Sequence, residues 1–229
     1  MFKVLIVEED TELVALLKGY LERDGFGVEA VRDGASGVTR ALSGAYQVAV
    51  MDIALPVKDG IEALRSIRMQ SDVPILMLTA KGDDTDKIIG LELGADDCVS
   101  KGCTPREVSA RLRAIMRRTV DRPPTDPVRT VLTLGAFTLW PQRRQVDYAG
   151  KAIDFTSTEF NLLESLTRNA CKVVSKRALC EEALGRTLTP YDRSLDVHVS
   201  RIRAKLKAAT NERIQIKTVH SVGYQIVAT

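Results

Sequence analysis

Nowhere does this 229-residue chain carry an apolar run able to cross a bilayer. Its longest, such as Val73 to Leu78, fall far short of the roughly 20 residues a membrane helix needs. The apolar stretch after Met1-Phe2-Lys3 ends at Val7, too soon for the core of a secretory signal. Aromatic residues are scarce, at 5% with a single Trp, and there are four cysteines, Cys98, Cys103, Cys171 and Cys180. They form no C-x-x-C pair and fit no zinc spacing, which excludes a disulfide scaffold and a structural zinc site. These absences point to a cytoplasmic, disulfide-free protein with no membrane contact. What remains is ordinary: 45% apolar and 28% charged residues exclude disorder and collagen-like structure, and the length suits two domains of average size.

The overall charge of +3 conceals an asymmetry. Residues 1–118 hold 16 Lys and Arg against 19 Asp and Glu, whereas residues 119–229 hold 17 against 11. An acidic half joined to a basic one implies two domains with different partners, nucleic acid being a candidate for the second. Between them Arg117 to Thr130 reads RRTVDRPPTDPVRT, with three prolines and no apolar period. Proline restrains itself and its predecessor, so the stretch reads as a semi-rigid linker. The expected division is a first domain at 1–118, a linker at 119–130 and a second domain at 131–229.

In the first domain short apolar runs (Lys3–Val7, Val28–Val31, Gln47–Met51, Pro74–Leu78 and Asp97–Ser100) alternate with helical patterns such as Leu13, Leu16, Leu17, Tyr20, Leu21. Thr104-Pro105-Arg106-Glu107 reads as a capping box that opens the last helix. Five strand–helix units predict a doubly wound α/β domain with a parallel five-stranded sheet. In such sheets ligands bind beyond the C-terminal ends of the strands. Glu8, Glu9 and Asp10 follow strand one, Asp52 follows strand three, Thr79 ends strand four and Lys101 follows strand five. Any of these alone reads as a turn, cap or solvated loop residue; it is their joint arrival at one edge that carries chemistry. Glu8, Glu9 and Asp52 would repel one another unless a hard cation such as Mg2+ sat among them. With Lys101 and Thr79 as donors beside it, the set suits phosphoryl transfer, and Asp52 suits the nucleophile that becomes an acyl phosphate.

On these residues the domain resembles a response-regulator receiver, of flavodoxin-like fold, and the whole chain resembles the OmpR/PhoB family of transcription factors, within it the CpxR-type regulators. The carriers are Val7-Glu8-Glu9-Asp10, Met51-Asp52-Ile53-Ala54-Leu55-Pro56 with Asp59-Gly60, Leu78-Thr79-Ala80, Gly90 to Asp97 (GLELGADD) and Lys101. The resemblance implies that a sensor histidine kinase phosphorylates Asp52. It also implies that Glu8, Glu9, Asp52 and the Ala54 carbonyl surround Mg2+, and that Thr79 and Lys101 contact the phosphoryl group. It further implies a homodimer through the fourth helix, fifth strand and fifth helix, with Lys87, Asp96, Asp97, Glu107, Arg111 and Arg113 as ion pairs. Three positions depart from the family pattern. Glu9 replaces the usual Asp, and its extra methylene is expected to weaken a near-octahedral metal site. Cys98 replaces the aromatic switch residue, and Gly102 replaces proline after the lysine, which loosens that loop. The expectation is a phosphorylatable receiver with weak or unusual switching. Cys98 and Cys103 lie five apart beside this site, which leaves a redox switch open, although free cysteines are more often small apolar fillers.

The second half begins with short alternating runs (Val131–Leu134, Phe137–Trp140, Gln145–Tyr148, Lys151–Phe155), readable as a small antiparallel sheet. Thr156-Ser157-Thr158-Glu159 caps a helix, a second helix is expected over Ser175 to Ala183, Thr189-Pro190 opens a third, and two strands flank Ser221-Val222-Gly223. In the third helix Leu195, Val199, Ile202 and Leu206 form an apolar stripe, with Arg193, His198, Arg201, Arg203, Lys205 and Lys207 off it. A cationic face of this kind suits a major-groove reader or, as composition alone allows equally, a solvated surface. Residues 188–206 resemble the recognition helix of the family's winged helix-turn-helix and residues 218–224 its wing. The resemblance implies that Val197, Ser200 and Arg201 face bases of double-stranded promoter DNA, that Arg193, His198 and Arg203 contact phosphates, and that RNA polymerase is a partner. His220 stands where the wing usually offers Arg, so a weaker or more pH-sensitive contact is expected there.

The reading is thus a phosphorylation-regulated, DNA-binding transcription factor that is not an enzyme. One rival keeps the DNA-binding half but makes the receiver phosphorylation-independent. The other is an Asp-nucleophile phosphohydrolase; such enzymes carry a second acid two residues after the nucleophile, where this chain has Ala54.

Overall fold

The computed structural model describes residues 1–80, 84–119, 131–188 and 193–229, which form two compact units, Met1–Met116 and Arg117–Thr229. Most of the expected linker lies outside the described residues; its first residue, Thr119, ends a helix.

The first unit alternates strands β1 (Lys3–Val7), β2 (Gly27–Val31), β3 (Val48–Asp52), β4 (Ile75–Thr79) and β5 (Asp97–Ser100) with helices α1 (Thr11–Arg23), α2 (Gly34–Ala41), α3 (Gly60–Arg68), α4 (Asp84–Leu93) and α5 (Pro105–Thr119). The sheet is parallel throughout, in the order β2-β1-β3-β4-β5. Strand periodicity sends alternate side chains to opposite faces, and both faces are covered. Val4, Ile6, Val48, Val50, Leu76 and Leu78 pack with Leu17 and Leu21 of α1 and with Leu112 and Ile115 of α5. Leu5, Val7, Ala49, Met51, Ile75 and Met77 pack with Ala41 of α2 and with Leu64 and Ile67 of α3. Double burial explains why these strands read as continuous apolar runs. Register aligns their C-terminal ends: Val7 pairs with Val31 and Met51, Asp52 with Leu78, and Thr79 with Ser100.

The second unit opens with an antiparallel sheet of β6 (Leu132–Leu134), β7 (Phe137–Trp140), β8 (Gln145–Tyr148) and β9 (Lys151–Ala152). The last of these stops three residues short of the expected Phe155. Helix α6 (Ser157–Arg168) follows, its Glu159 side chain reaching back to the Thr156 N–H at 2.9 Å. The expected second helix is in part something else. Val174–Ser175 forms β10, Ser175 caps α7 (Lys176–Leu179), and the chain continues as a π-helical turn over Cys180–Leu184. Helix α8 (Ser194–Thr210) leads into the hairpin β11 (Ile214–Val219) and β12 (Gly223–Ala228), which β10 joins in the order β10-β12-β11. Thr189 and Pro190, where the third helix was expected to open, lie outside the described residues. Leu195, Val199, Ile202 and Leu206 are all buried in one core with Leu162, Leu163 and Leu166 of α6.

Candidate functional site

At the C-terminal edge of the parallel sheet, Glu8, Asp52 and Thr79 are buried. Lys101 reaches in from the turn after β5, its Nζ 3.0 Å from Glu8 Oε1 and 2.8 Å from Asp52 Oδ2. The turn is held by the Lys101 N–H, which donates to the Thr79 carbonyl at 2.8 Å. Thr79 Oγ1 donates to the Val99 carbonyl at 3.4 Å, a long bond that leaves the hydroxyl available. Close backbone approach fixes the loop after Asp52: the Gly60 N–H donates to the Ile53 carbonyl at 2.8 Å, and a Cβ on Gly60 would lie 1.9 Å from the Asp52 carbonyl oxygen.

Two carboxylates here share one ammonium. Burial, the main cause, raises the Asp52 pKa; the negative Glu8 adds to this, and Lys101 works against it. Burial would lower the Lys101 pKa, but the hydrogen bonds and charges of Asp52 and Glu8 outweigh it and raise it, so the ammonium stays charged. Beyond that ammonium, Glu8 Oε2 and Asp52 Oδ2 have no hydrogen-bond donor among the described residues. Two carboxylates against one ammonium leave one negative charge uncompensated, which fits a hard cation. The expected third acid is elsewhere: Glu9 is exposed, Asp10 caps α1 by accepting from the Glu12 and Leu13 N–H groups, and among the described residues no three His, Cys, Asp or Glu side chains cluster as metal ligands. The convergence of three carboxylates is therefore corrected to two, Glu8 and Asp52, with Glu9 and the exposed Ala54 nearby in sequence.

The residues expected on a dimer face separate. Asp97 and Glu107 both bind Arg111, at 2.7 and 2.9 Å, and Lys87 lies on α4. Asp96 is instead buried, accepting from the Ile75 N–H and from Arg68, each at 3.0 Å. Arg113 turns toward the end of α1, where it binds the Asp24 carboxylate at 2.7 Å and lies over Phe26; Ser109 also donates to Asp24. Cys98 donates to the Lys87 carbonyl at 3.6 Å. Burial, reinforced by Asp97, pushes its thiol well up, and burial also raises Cys103, with Glu107 adding to it. Both groups are held as thiols, the opposite of what a reactive redox pair needs.

On α8 the expected cationic face is divided between surface and interior. Arg193 and Ser200 are exposed and Val197 is half-buried. His198 is buried, a correction with a simple cause: it lies three residues after Leu195 and so on the core side of the helix. Arg201 Nε lies 2.5 Å from Glu159 Oε1 and Lys205 Nζ 2.7 Å from Glu159 Oε2. Lys205 also donates to the Asp154 carbonyl at 2.8 Å. Arg203 donates to the Ile216 carbonyl at 2.8 Å and to Thr218 Oγ1 at 2.7 Å, and stacks near Tyr224. Tyr224 donates to Asp196 at 2.6 Å, and Lys176 binds the same carboxylate at 2.7 Å, so α7, α8 and the hairpin share one polar network. At the hairpin tip Lys217, His220, Ser221 and Val222 are exposed. Sequence reasoning missed Glu159 as a partner of α8. Its only signal was the capping box, and nothing local shows a pairing 42 residues away.

The pattern described as Response regulator receiver domain matches residues 4–113, and the one described as Transcriptional regulatory protein, C terminal, matches residues 150–226. Over the full chain, the sequence is 38% identical to the transcriptional regulatory protein CpxR of Escherichia coli (strain K12), across 99% of that protein. It is 35% identical to the alkaline phosphatase synthesis transcriptional regulatory protein PhoP of Bacillus subtilis (strain 168), with 98% and 96% of the two chains covered. Among solved structures, the Thermotoga maritima response regulator DrrB, an OmpR/PhoB homologue, superposes with a TM-score of 0.52 at 28% identity, both chains being covered completely.

Proposed function

The chain belongs to the OmpR/PhoB-type response regulators, with a receiver and a C-terminal DNA-binding domain, and from that premise we propose that Asp52 is its phosphoacceptor and that phosphorylation controls binding to promoter DNA. The observation that carries the reading is the pair of buried carboxylates, Glu8 and Asp52, joined by the partly exposed Lys101 ammonium at the edge of a parallel sheet. An Asp52 oxygen forms a bond to phosphorus as the bond to the donor's leaving group breaks, the electron pair departing with that group; with a sensor histidine kinase the leaving group is an imidazole nitrogen. Lys101 and the Thr79 hydroxyl receive the incoming phosphoryl oxygens. Glu8, Asp52 and the Ala54 carbonyl are the groups that would hold Mg2+, which supplies charge neutralisation at the phosphoryl group. Ala54 has no proton to give a leaving group, so hydrolytic turnover of phosphate esters is not part of the reading.

In the second unit Arg193 is the phosphate contact, Val197 and Ser200 face the bases, and His220 at the hairpin tip approaches the minor groove. Lys87, Glu107 and the partly buried Asp97–Arg111 pair supply a homodimer surface; Asp96 and Arg113 are occupied internally. RNA polymerase and the kinase are partners of the same reading, and the cytoplasm is its setting. The test is duplex binding by the full chain with and without acetyl phosphate and Mg2+. Tighter binding after treatment, absent in Asp52→Ala, is the expected result; no salt-dependent binding to any duplex contradicts it. Equal binding by both proteins would favour a phosphorylation-independent regulator, the reading that Glu9 and Cys98 support.

A further inference from the structure

Two of the basic residues on the DNA-facing helix do not point outward. From Arg193, which precedes α8, the exposed positions Arg193, Asp196, Ser200, Ala204 and Lys207 make one stripe. Arg201 and Lys205, one residue on from Ser200 and Ala204, are rotated about 100° from it. Both end on one carboxylate, that of Glu159, which is fully buried and also holds the first turn of α6 through the Thr156 N–H. Lys205 lies near the Phe155 ring as well, 5.3 Å from its centroid. A buried carboxylate is stable only while its charge is matched and its oxygens are hydrogen-bonded. Both oxygens are occupied here, and by cations from a single helix. The arrangement sets the rotation and the axial position of α8 on α6 at once, because one buried point is bound to two positions a helical turn apart.

We propose that Glu159 is a positioning residue for DNA readout: it draws Arg201 and Lys205 off the DNA face and fixes the presentation of Val197 and Ser200, so that Arg201 is a strut and not a base reader. The inference rests on the DNA-binding reading of this domain. It reverses the ordinary expectation for charge removal, because neutralising Glu159 removes the buried negative charge that Arg201 and Lys205 share at the border of the DNA face and should strengthen non-specific binding while it weakens discrimination.

The experiment measures binding of the full chain to a random-sequence 30-base-pair duplex and to a duplex selected by the wild-type protein, over a series of salt concentrations. Each neutralised phosphate adds about 0.9 to the slope of log K against log salt. Glu159→Gln is expected to steepen that slope by about 1 and to lower the ratio of selected to random affinity. Arg201→Gln is expected to leave the slope within about half a unit of wild type, and Arg201→Lys, which can still reach Glu159, to restore the wild-type ratio. A base-reading guanidinium is not replaced by an ammonium, so failure of Arg201→Lys together with a slope reduced by about 1 in Arg201→Gln would overturn the proposal. An unchanged slope in Glu159→Gln would also overturn it. Should Glu159→Gln fail to fold by thermal melting, the two Arg201 variants decide alone. Absence of salt-dependent binding in the wild-type chain would instead sink the DNA-binding reading itself.

Discussion

Two buried carboxylates show how opposite settings give the same residue class opposite effects on stability. Asp52 is buried with Glu8 against a single lysine, and its pKa is raised. An acid whose folded pKa lies above its unfolded value costs stability once it ionises, so the first unit should lose stability as pH rises above the ordinary aspartate range. Asp52→Asn removes that cost while keeping Lys101 paired with Glu8. It should stabilise the unit by about 1 kcal/mol at pH 7, a rise of about 4 °C in Tm, and the gain should vanish near pH 4. Unchanged melting at pH 7 would show that the three charges are balanced without help. Glu159 is the reverse case: burial would raise its pKa, but Lys205 and Arg201 outweigh burial and lower it. Its contribution is complete above the unfolded pKa and is lost as pH falls through the lower, folded one. Glu159→Gln should cost the second unit about 2 kcal/mol at pH 7. That is less than for a fully buried pair, since Arg201 and Lys205 retain 20% and 31% of their side-chain exposure. Urea unfolding of both proteins at pH 7 and pH 3.5 tests this; a difference that persists in acid would assign the loss to packing.

Elements were legible in proportion to how strongly one physical signal dominated them. Lys3–Val7 appears where its apolar run placed it, because parallel strands buried on both faces leave no polar alternation to confuse the reading. β10 is only two residues long and exists because β12 offers it an edge, so no local pattern could announce it. The expected second helix came out as a short α-turn followed by a π-turn, a difference in hydrogen-bond register that side-chain periodicity does not encode. His198 could have been placed inward, because the stripe through Leu195 includes the third residue on as well as the fourth. The inward course of Arg201 could not, since it depends on an acid in a different helix. β10 also makes a demand on sequence at Gly223, where a Cβ would lie 1.9 Å from the Val174 carbonyl oxygen. Gly223→Ala should therefore separate β10 from the hairpin and destabilise the second unit by at least ~2 kcal/mol, while the first unit melts as before. Wild-type stability in that variant would mean that the β10–β12 pairing contributes little.

At the scale of the whole molecule, an acidic unit and a basic unit lie on either side of a proline-rich stretch, and each keeps its candidate chemistry within itself. The net charges of the halves, −3 for residues 1–118 and +6 for residues 119–229, match a metal- and phosphoryl-binding unit followed by one that meets phosphates. The site in the first unit was legible because topology, not local sequence, gathers strand ends at one edge: Glu8, Asp52, Thr79 and Lys101 arrive there from four separate strands. Glu9 did not join them, because adjacent residues at the end of a strand point in different directions. The central claim is that Asp52 accepts a phosphoryl group in this setting, and the most direct measurement is intact mass after incubation with acetyl phosphate, with and without Mg2+, for wild type and Asp52→Ala. A single Mg2+-dependent phosphoryl adduct on the wild-type chain, absent from the variant, is the expected result. An adduct of equal size on Asp52→Ala, or none on either protein under conditions that label another receiver, would contradict the account.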